Sequence, residues 1–171
     1  METRIVAAEP SAREALRNLF QLCAYDFSEV LPLEVAETGR FDVESAVDTF
    51  GADPSRFPFL FRADVHIAGF AIVDHKSKLT GASDVWDMAE FFVLRRYRRA
   101  GIGTALAQRL FDAHPGEWEV RQRGANGAAT AFWRRAIAAY TGDRFREELL
   151  DDDRWRGPVQ RFTSACMTQS P

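Results

Sequence analysis

Four arginines fall within five positions, at Arg95, Arg96, Arg98 and Arg99, and Gly101-Ile102-Gly103 follows them at the start of a helix-like pattern. An apolar run ending at Leu94 precedes them. Cations ahead of a helix N-terminus oppose the positive end of its macrodipole, which prefers negative charge. Arg99, Ala100 and Gly101 also offer no hydroxyl or carboxylate to cap the first backbone N–H groups. Uncapped N–H donors, a positive helix end, arginines and backbone-exposing glycines make sense together if an anion such as a pyrophosphate docks there. The plainer explanation is a solvated arginine turn and a tight strand-to-helix bend. Two nucleotide motifs can be tried on the same residues. A Walker loop needs a Lys-Ser/Thr pair after its second glycine, and none follows here. A dinucleotide fingerprint needs a small residue where Leu106 stands, although Glu119 lies near the distance of its ribose-binding acid.

Carboxylates able to move a proton lie just upstream. Alternation along residues 85–94 puts Trp86, Met88, Glu90, Phe92 and Leu94 on one side of a strand and Asp87 on the other. A carboxylate in such an apolar row is desolvated, which raises its pKa toward the working range of a general base. Glu90 is the expected base and Asp87 the fallback; the competing fates for Glu90 are solvent at a strand edge or an arginine partner. Cys23 sits on an apolar helix face, where core packing explains it better than covalent catalysis. His66, His75 and His114 stand singly, and Cys23 and Cys166 match no zinc spacing, so no metal is expected.

The elements that must hold these groups follow from periodicity. A short strand over 4–9 precedes Ser11-Ala-Arg-Glu14, which reads as a capping box for an amphipathic helix over 11–27. Asp42 can cap a second short helix ending near Gly51. Residues 57–63 and 67–75 read as an antiparallel hairpin, and 85–94 as a third strand. The helix from Gly101 buries Ile102, Leu106, Leu110 and Phe111 and leads to a strand over 118–122, giving a strand–helix–strand unit with parallel strands. Asn126 opens a loop and helix that Gly142 stops, and strands over 145–150 and 159–163 close the chain around the acidic turn Asp151-Asp152-Asp153, a solvated hairpin tip. One parallel crossover among antiparallel hairpins predicts a mixed α/β fold of α+β type. It is a single domain over 1–171, with a central sheet of about six or seven strands and helices on both faces.

Composition excludes several classes. With 171 residues, 46% apolar and 12% aromatic, the chain can bury one sizeable core. A net charge of −3 makes the basic character local, and no interleaved aromatic platform accompanies the arginines, so no nucleic-acid partner is expected. There is neither an apolar run of membrane length nor a signal-like N-terminus, so no membrane partner and a cytoplasmic location are expected.

The loop resembles that of the GNAT superfamily of acyl-CoA N-acyltransferases. Arg98-Arg99-Ala100-Gly101-Ile102-Gly103 meets the pattern Arg/Gln-x-x-Gly-x-Gly/Ala, and Val93 stands where the family places a valine five residues earlier. The proline common two positions after that valine is Arg95 here. Asn126-x-x-Ala129-x-x-Phe132-Trp133 is similar to the opening of the family's next helix, and the order of elements matches over nearly the whole chain. The resemblance implies acetyl-CoA as co-substrate, without a metal, and a small-molecule or peptide amine as acceptor. It implies that Arg98, Arg99, Gly101, Ile102, Gly103 and Thr104 form the pyrophosphate loop, that the Val93 backbone meets the pantetheine arm, and that the Asn126 side chain contacts the same arm. Where many members carry a tyrosine acid for the departing thiolate, this chain has Trp133, whose indole is not a practical acid. Tyr140, two helical turns on, or water is expected to serve instead. Direct attack of the amine in a ternary complex follows from the lack of an activated nucleophile. A non-catalytic CoA-binding sensor or partner module is the alternative, and a homodimer stays open.

Overall fold

The computed structural model describes residues 1–42 and 52–165. The helix expected after Asp42, over residues 43–51, and Cys166 lie outside them. Seven strands of the described residues form one mixed sheet, β1 (Thr3–Ala7), β2 (Arg56–Ala63), β3 (His66–Asp74), β4 (Val85–Val93), β5 (Gly116–Arg121), β6 (Arg146–Asp151) and β7 (Arg156–Ser164). Their spatial order is β1-β2-β3-β4-β5-β7-β6. Every neighbouring pair is antiparallel except β4 and β5, which the helix α2 (Ile102–Ala113) connects. The remaining helices are α1 (Arg13–Phe27), after β1, and α3 (Gly127–Thr141), between β5 and β6.

The helices divide between the faces according to their apolar stripes. Leu16, Leu19, Phe20 and Cys23 of α1 pack on Leu60, Phe70, Ile72 and Phe92. On the other face Leu106, Leu110 and Phe111 of α2 join Trp133, Ala136 and Ile137 of α3 over Phe61, Val73, Trp118 and Phe162. Buried on both sides, β3 reads as a continuous apolar run from Ile67 to Val73 rather than an alternating one. The expected capping box does not form. Pro10 opens a 3-10 turn over Pro10–Ala12, because its fixed φ suits the first position of a helical turn. The α-helix then starts at Arg13, with Ala12 as an N-cap that supplies no side-chain bond.

One irregularity in β4 rearranges the candidate carboxylates. The ladder with β3 steps from Ile72↔Glu90 to Val73↔Met88, leaving Ala89 as an extra residue in a β-bulge. A one-residue insertion shifts the alternation, since the side-chain period of a strand is two. Met88 therefore joins Phe91 and Val93 on the α2–α3 side. Asp87 and Glu90, expected on opposite sides, share the α1 face with Ile72 and Asp74. Immediately beyond, β4 and β5 part. They share only the rungs Val85↔Glu117, Trp86↔Trp118 and Asp87↔Glu119, while β4 runs on to Val93 and β5 to Arg121.

The register at the other edge of β4 depends on Gly69. A Cβ there would lie 2.0 Å from the Phe92 carbonyl oxygen and 3.0 Å from Val93 Cα. Gly69→Ala is expected to destabilise the protein by about 2–4 kcal/mol, because backbone and not a flexible side chain has to move. Urea unfolding midpoints of the two proteins would check this; an unchanged midpoint would mean that β3 can shift away from β4.

Candidate active site

Where β4 ends, the chain makes a 3-10 turn over Arg95–Tyr97, and two left-handed residues, Arg99 (φ 65°) and Gly101 (φ 74°), redirect it into α2. Gly101 is the N-cap of α2 and supplies no side-chain bond. The N–H groups of Ile102, Gly103 and Thr104 meet no acceptor among the described residues. A Cβ at Gly101 would meet nothing within 4 Å, whereas one at Gly103 would press on the Phe132 ring at 3.3 Å. The first glycine therefore leaves open space at the helix start, and the second lets α2 approach α3. Unbonded amides, the positive end of a three-turn helix, and the exposed Arg96 and Arg99 are the donor set that a diphosphate needs. The residues present fit the diphosphate of an acyl-CoA.

The other arginines of the run are used differently. Arg98 turns inward: its Nε donates to the Val93 carbonyl at 2.6 Å and its Nη2 to the Asp26 carboxylate, and its guanidinium lies 5.4 Å from the Phe92 ring centre. Arg95 Nε donates to the other Asp26 oxygen at 2.7 Å. Burial works against the Asp26 charge, yet the two arginine bonds hold its carboxyl below the usual range. Arg98 is thus a strut between α1, the end of β4 and the loop, where sequence alone suggested a phosphate contact. The Val93 carbonyl is correspondingly engaged by Arg98. Asn126 is the N-cap of α3, and its Oδ1 accepts from the Ala129 N–H at 3.0 Å, which leaves the carboxamide NH2 for another partner.

Across the bulge lie the ionisable groups. Asp87, fully buried, takes two hydrogen bonds from Arg121, at 2.7 and 3.1 Å. Burial pushes its carboxyl up to about 6 in spite of that guanidinium. Glu90 is partly buried and makes no hydrogen bond to another described residue. Burial pushes it up to about 7, against the pull of Arg121 and with the help of the Asp87 charge. It stands beneath α1, close enough to Cys23 for its charge to join burial in pushing that thiol far up. Cys23 is accordingly a packing residue, 3% exposed. Of the two carboxylates, Asp87 is consumed by its partner and Glu90 is available.

Tyr140 is elsewhere. It lies on α3, on the sheet face opposite Glu90, packed on Phe111 and Phe162, and its hydroxyl donates to Asp112 at 2.8 Å. Burial and that carboxylate push the phenol well above its ordinary value. The structure therefore does not bring Tyr140 together with Glu90 and the loop. Trp133 is buried in the α2–α3 core. Reading the sequence missed Asp26 and Arg121. Asp26, in the last turn of α1, is 72 residues from its partner Arg98, and no local pattern pairs them. Arg121 shares a side of its strand with Glu119 by alternation, a pairing of charges on an otherwise apolar sheet that was a signal that could have been used. Among the described residues no three His, Cys, Asp or Glu side chains gather as metal ligands, and no helix is long and apolar enough to cross a membrane.

The arrangement can be set beside known proteins. Solved structures share the fold along almost the whole chain. An acetyltransferase from Thermus thermophilus superposes with a TM-score of 0.69 at 15% identity, over 95% of this chain and 97% of its own. An N-acetyltransferase from Thermoplasma acidophilum, solved in complex with coenzyme A, gives 0.62 at 12% identity, over 95% and 99%. A spermidine N-acetyltransferase from Vibrio cholerae, a dodecamer, gives 0.60 at 9% identity, over 98% and 96%. At such identities the likeness speaks for the fold alone. Among curated protein sequences none matches the chain. The family model of the GNAT acetyltransferases matches residues 13–138, from the first turn of α1 to the last turn of α3. With strands that part beyond Asp87, an uncapped helix start at Gly101 and that match, the chain belongs to the GNAT acetyltransferase family.

Proposed function

We propose that the protein is an acetyl-CoA-dependent N-acetyltransferase in which a primary amine attacks the thioester directly, with Glu90 as general base. The observation that carries the reading is Glu90: a carboxyl held near neutrality without a hydrogen-bond partner among the described residues, on the strand that leads into a helix start lacking acceptors. Acetyl-CoA supplies an acetyl group activated as a thioester, on a carrier with a diphosphate handle. The amides of Ile102, Gly103 and Thr104 hold the diphosphate, with Arg96 and Arg99 adding charge, and Asn126 and the open edge of β4 orient the arm. An amine like that of lysine, with a pKa of about 10.4, is almost wholly protonated at neutral pH. Glu90 takes the proton the nitrogen must lose as the nitrogen–carbon bond forms and the carbon–sulfur bond breaks. The departing sulfur takes its proton from water, because Trp133 cannot supply one and Tyr140 is committed to Asp112.

A CoA-binding module without turnover is the second reading, favoured by the buried Trp133 in the tyrosine position. Release of CoA with a panel of amines separates the two: release with any amine supports transfer, and none with tight CoA binding supports the module.

Two variants test the assignments. In Gly101→Glu the new side chain has room, at a cost of about 1–2 kcal/mol for its left-handed backbone. Its charge opposes the anion, and CoA affinity is expected to fall by more than about tenfold. Calorimetry showing unchanged affinity in the folded variant would move the diphosphate to another place. In the wild type, kcat/KM should rise with pH through about 7 as Glu90 ionises. Glu90→Gln should lose about 100-fold or more at neutral pH and recover at high pH, where the amine deprotonates unaided. An unchanged profile would hand the proton to a water chain or to Asp87. Stability gives an independent reading with a definite sign. A carboxyl raised from 4.5 to about 7 contributes stability that is present below pH 4.5 and lost as pH rises through 7. Glu90→Gln should therefore lose less stability than the wild type between pH 5 and pH 8 in urea titrations.

A further inference from the structure

The bulge in β4 sets Glu90 on the same sheet face as a buried ion pair. Asp87 and Arg121, with side chains 1% and 8% exposed, are joined by two hydrogen bonds of 2.7 and 3.1 Å. Trp155, in the turn between β6 and β7, holds Arg121 from a second side, its ring centre 4.5 Å from the guanidinium carbon. The Trp155 indole donates to the Gln122 carbonyl at 3.0 Å, which fixes that ring. A buried pair adds little net stability over apolar residues of the same size, so its place beside Glu90 calls for a reason other than stability.

Glu90 feels the same guanidinium. From the Asp87↔Glu119 rung, Glu90 is three residues along β4, one of them in the bulge, and Arg121 is two along the parallel β5. Among the surrounding charges that of Arg121 acts most strongly on Glu90, followed by those of Asp87, Arg56 and Asp74. Yet the carboxylate bonds of Arg121 go to Asp87 and not to Glu90.

The other ionisable groups around Glu90 are engaged. Asp74 of β3 takes two bonds from Arg56 of β2, at 2.7 and 2.8 Å. Glu119 of β5 accepts from the Ser77 hydroxyl and the Lys78 N–H, with Arg161 of β7 at 3.9 Å. On α1, Asp26 is bound by Arg95 and Arg98, and burial keeps Cys23 a neutral thiol. Arg121 is therefore the cation whose pairing decides what Glu90 can do. A guanidinium free of Asp87 would pair with the nearest open carboxylate, and a paired carboxylate is a poor base. A guanidinium saturated by Asp87 offers Glu90 little, because the two opposite charges nearly cancel there.

We propose that Asp87 is a positioning residue for the base: by holding Arg121 in a two-bond pair, it keeps that guanidinium from pairing with Glu90 and leaves the Glu90 carboxylate open to the acceptor's proton. The assignment rests on the acetyltransferase reading for the role of Glu90. It gives Asp87 a task other than proton transfer.

The test reads Glu90 itself, by carboxyl NMR titration with its signal assigned from Glu90→Gln, alongside kcat/KM for one good amine acceptor. Asp87→Asn should lower the Glu90 midpoint from about 7 by about one unit or more, and kcat/KM near neutral pH should fall about tenfold or more. Asp87→Asn combined with Arg121→Met removes both charges. It should return the midpoint to within about half a unit of the wild type and regain most of the rate. A midpoint unmoved or raised in Asp87→Asn, or a lowered one that persists in the double variant, would overturn the assignment. So would loss of turnover at every pH with the Glu90 midpoint unmoved, which makes Asp87 the base. Should Asp87→Asn not fold, Asp87→Ser, with room for water beside the guanidinium, carries the same expectations. The double variant is expected to fold in either case, and a midpoint displaced there by more than about one unit rejects the assignment alone. Should no amine be acetylated, the transfer reading fails separately, and the NMR midpoints still decide whether Asp87 keeps Arg121 from Glu90.

Discussion

The parallel ladder between β4 and β5 ends at a buried ion pair, Asp87 with Arg121, and the active-site half of the molecule depends on it. Both side chains are at least nine-tenths buried. Desolvating two ions costs several kcal/mol, which only good geometry and two charge-assisted bonds offset; removing one partner of such a pair typically costs about 3–5 kcal/mol. The pair has two consequences. It ties the two strands at the point where they stop sharing backbone hydrogen bonds. It occupies Asp87, leaving Glu90 as the carboxylate without a hydrogen-bond partner among the described residues.

The bulge at Ala89 complements that pair. Without it Glu90 would face α2 and α3 and the packed aromatic core, where Phe91, Phe132 and Trp133 lie within 5.0–5.9 Å of one another. With it Glu90 lies under α1, beside a loop that the same strand feeds. Burial there is enough to lift the carboxyl to about 7, and its lack of a hydrogen bond to the described residues keeps the proton exchangeable. Glu90 and the uncapped helix start at Gly101 thus lie on one strand and on the loop it feeds.

Local chemistry was legible in the sequence, and long-range chemistry was not. Gly101 and Gly142 adopt the left-handed conformations that their positions at helix ends suggested, and Asn126 caps α3. The apolar stripe of α2 is buried as its spacing indicates. The bulge had no signature, because Met88-Ala89-Glu90 reads as a run of regular alternation until its pairing with β3 is known. Arg98 looked like its neighbours in a cationic run; only the approach of Asp26 from α1 separates it from Arg96 and Arg99. The Ser11–Glu14 capping box failed for a local reason that was visible, the proline at position 10. Tyr140 was placed by spacing along a helix, which says nothing of the sheet face it serves.

Arg98 has one more consequence. A single guanidinium grips the carbonyl of Val93, where the arm of the donor is expected to lie, and the carboxylate at the end of α1, the helix that roofs Glu90. Any shift of that carbonyl on donor binding alters the pull on α1, and any shift of α1 on acceptor binding alters the carbonyl. Thermodynamic reciprocity makes the two effects equal in free energy. On the proposed placement of the donor's arm at Val93 and of the acceptor under α1, that one side chain couples the two affinities, because the carbonyl and the carboxylate it holds cannot move independently.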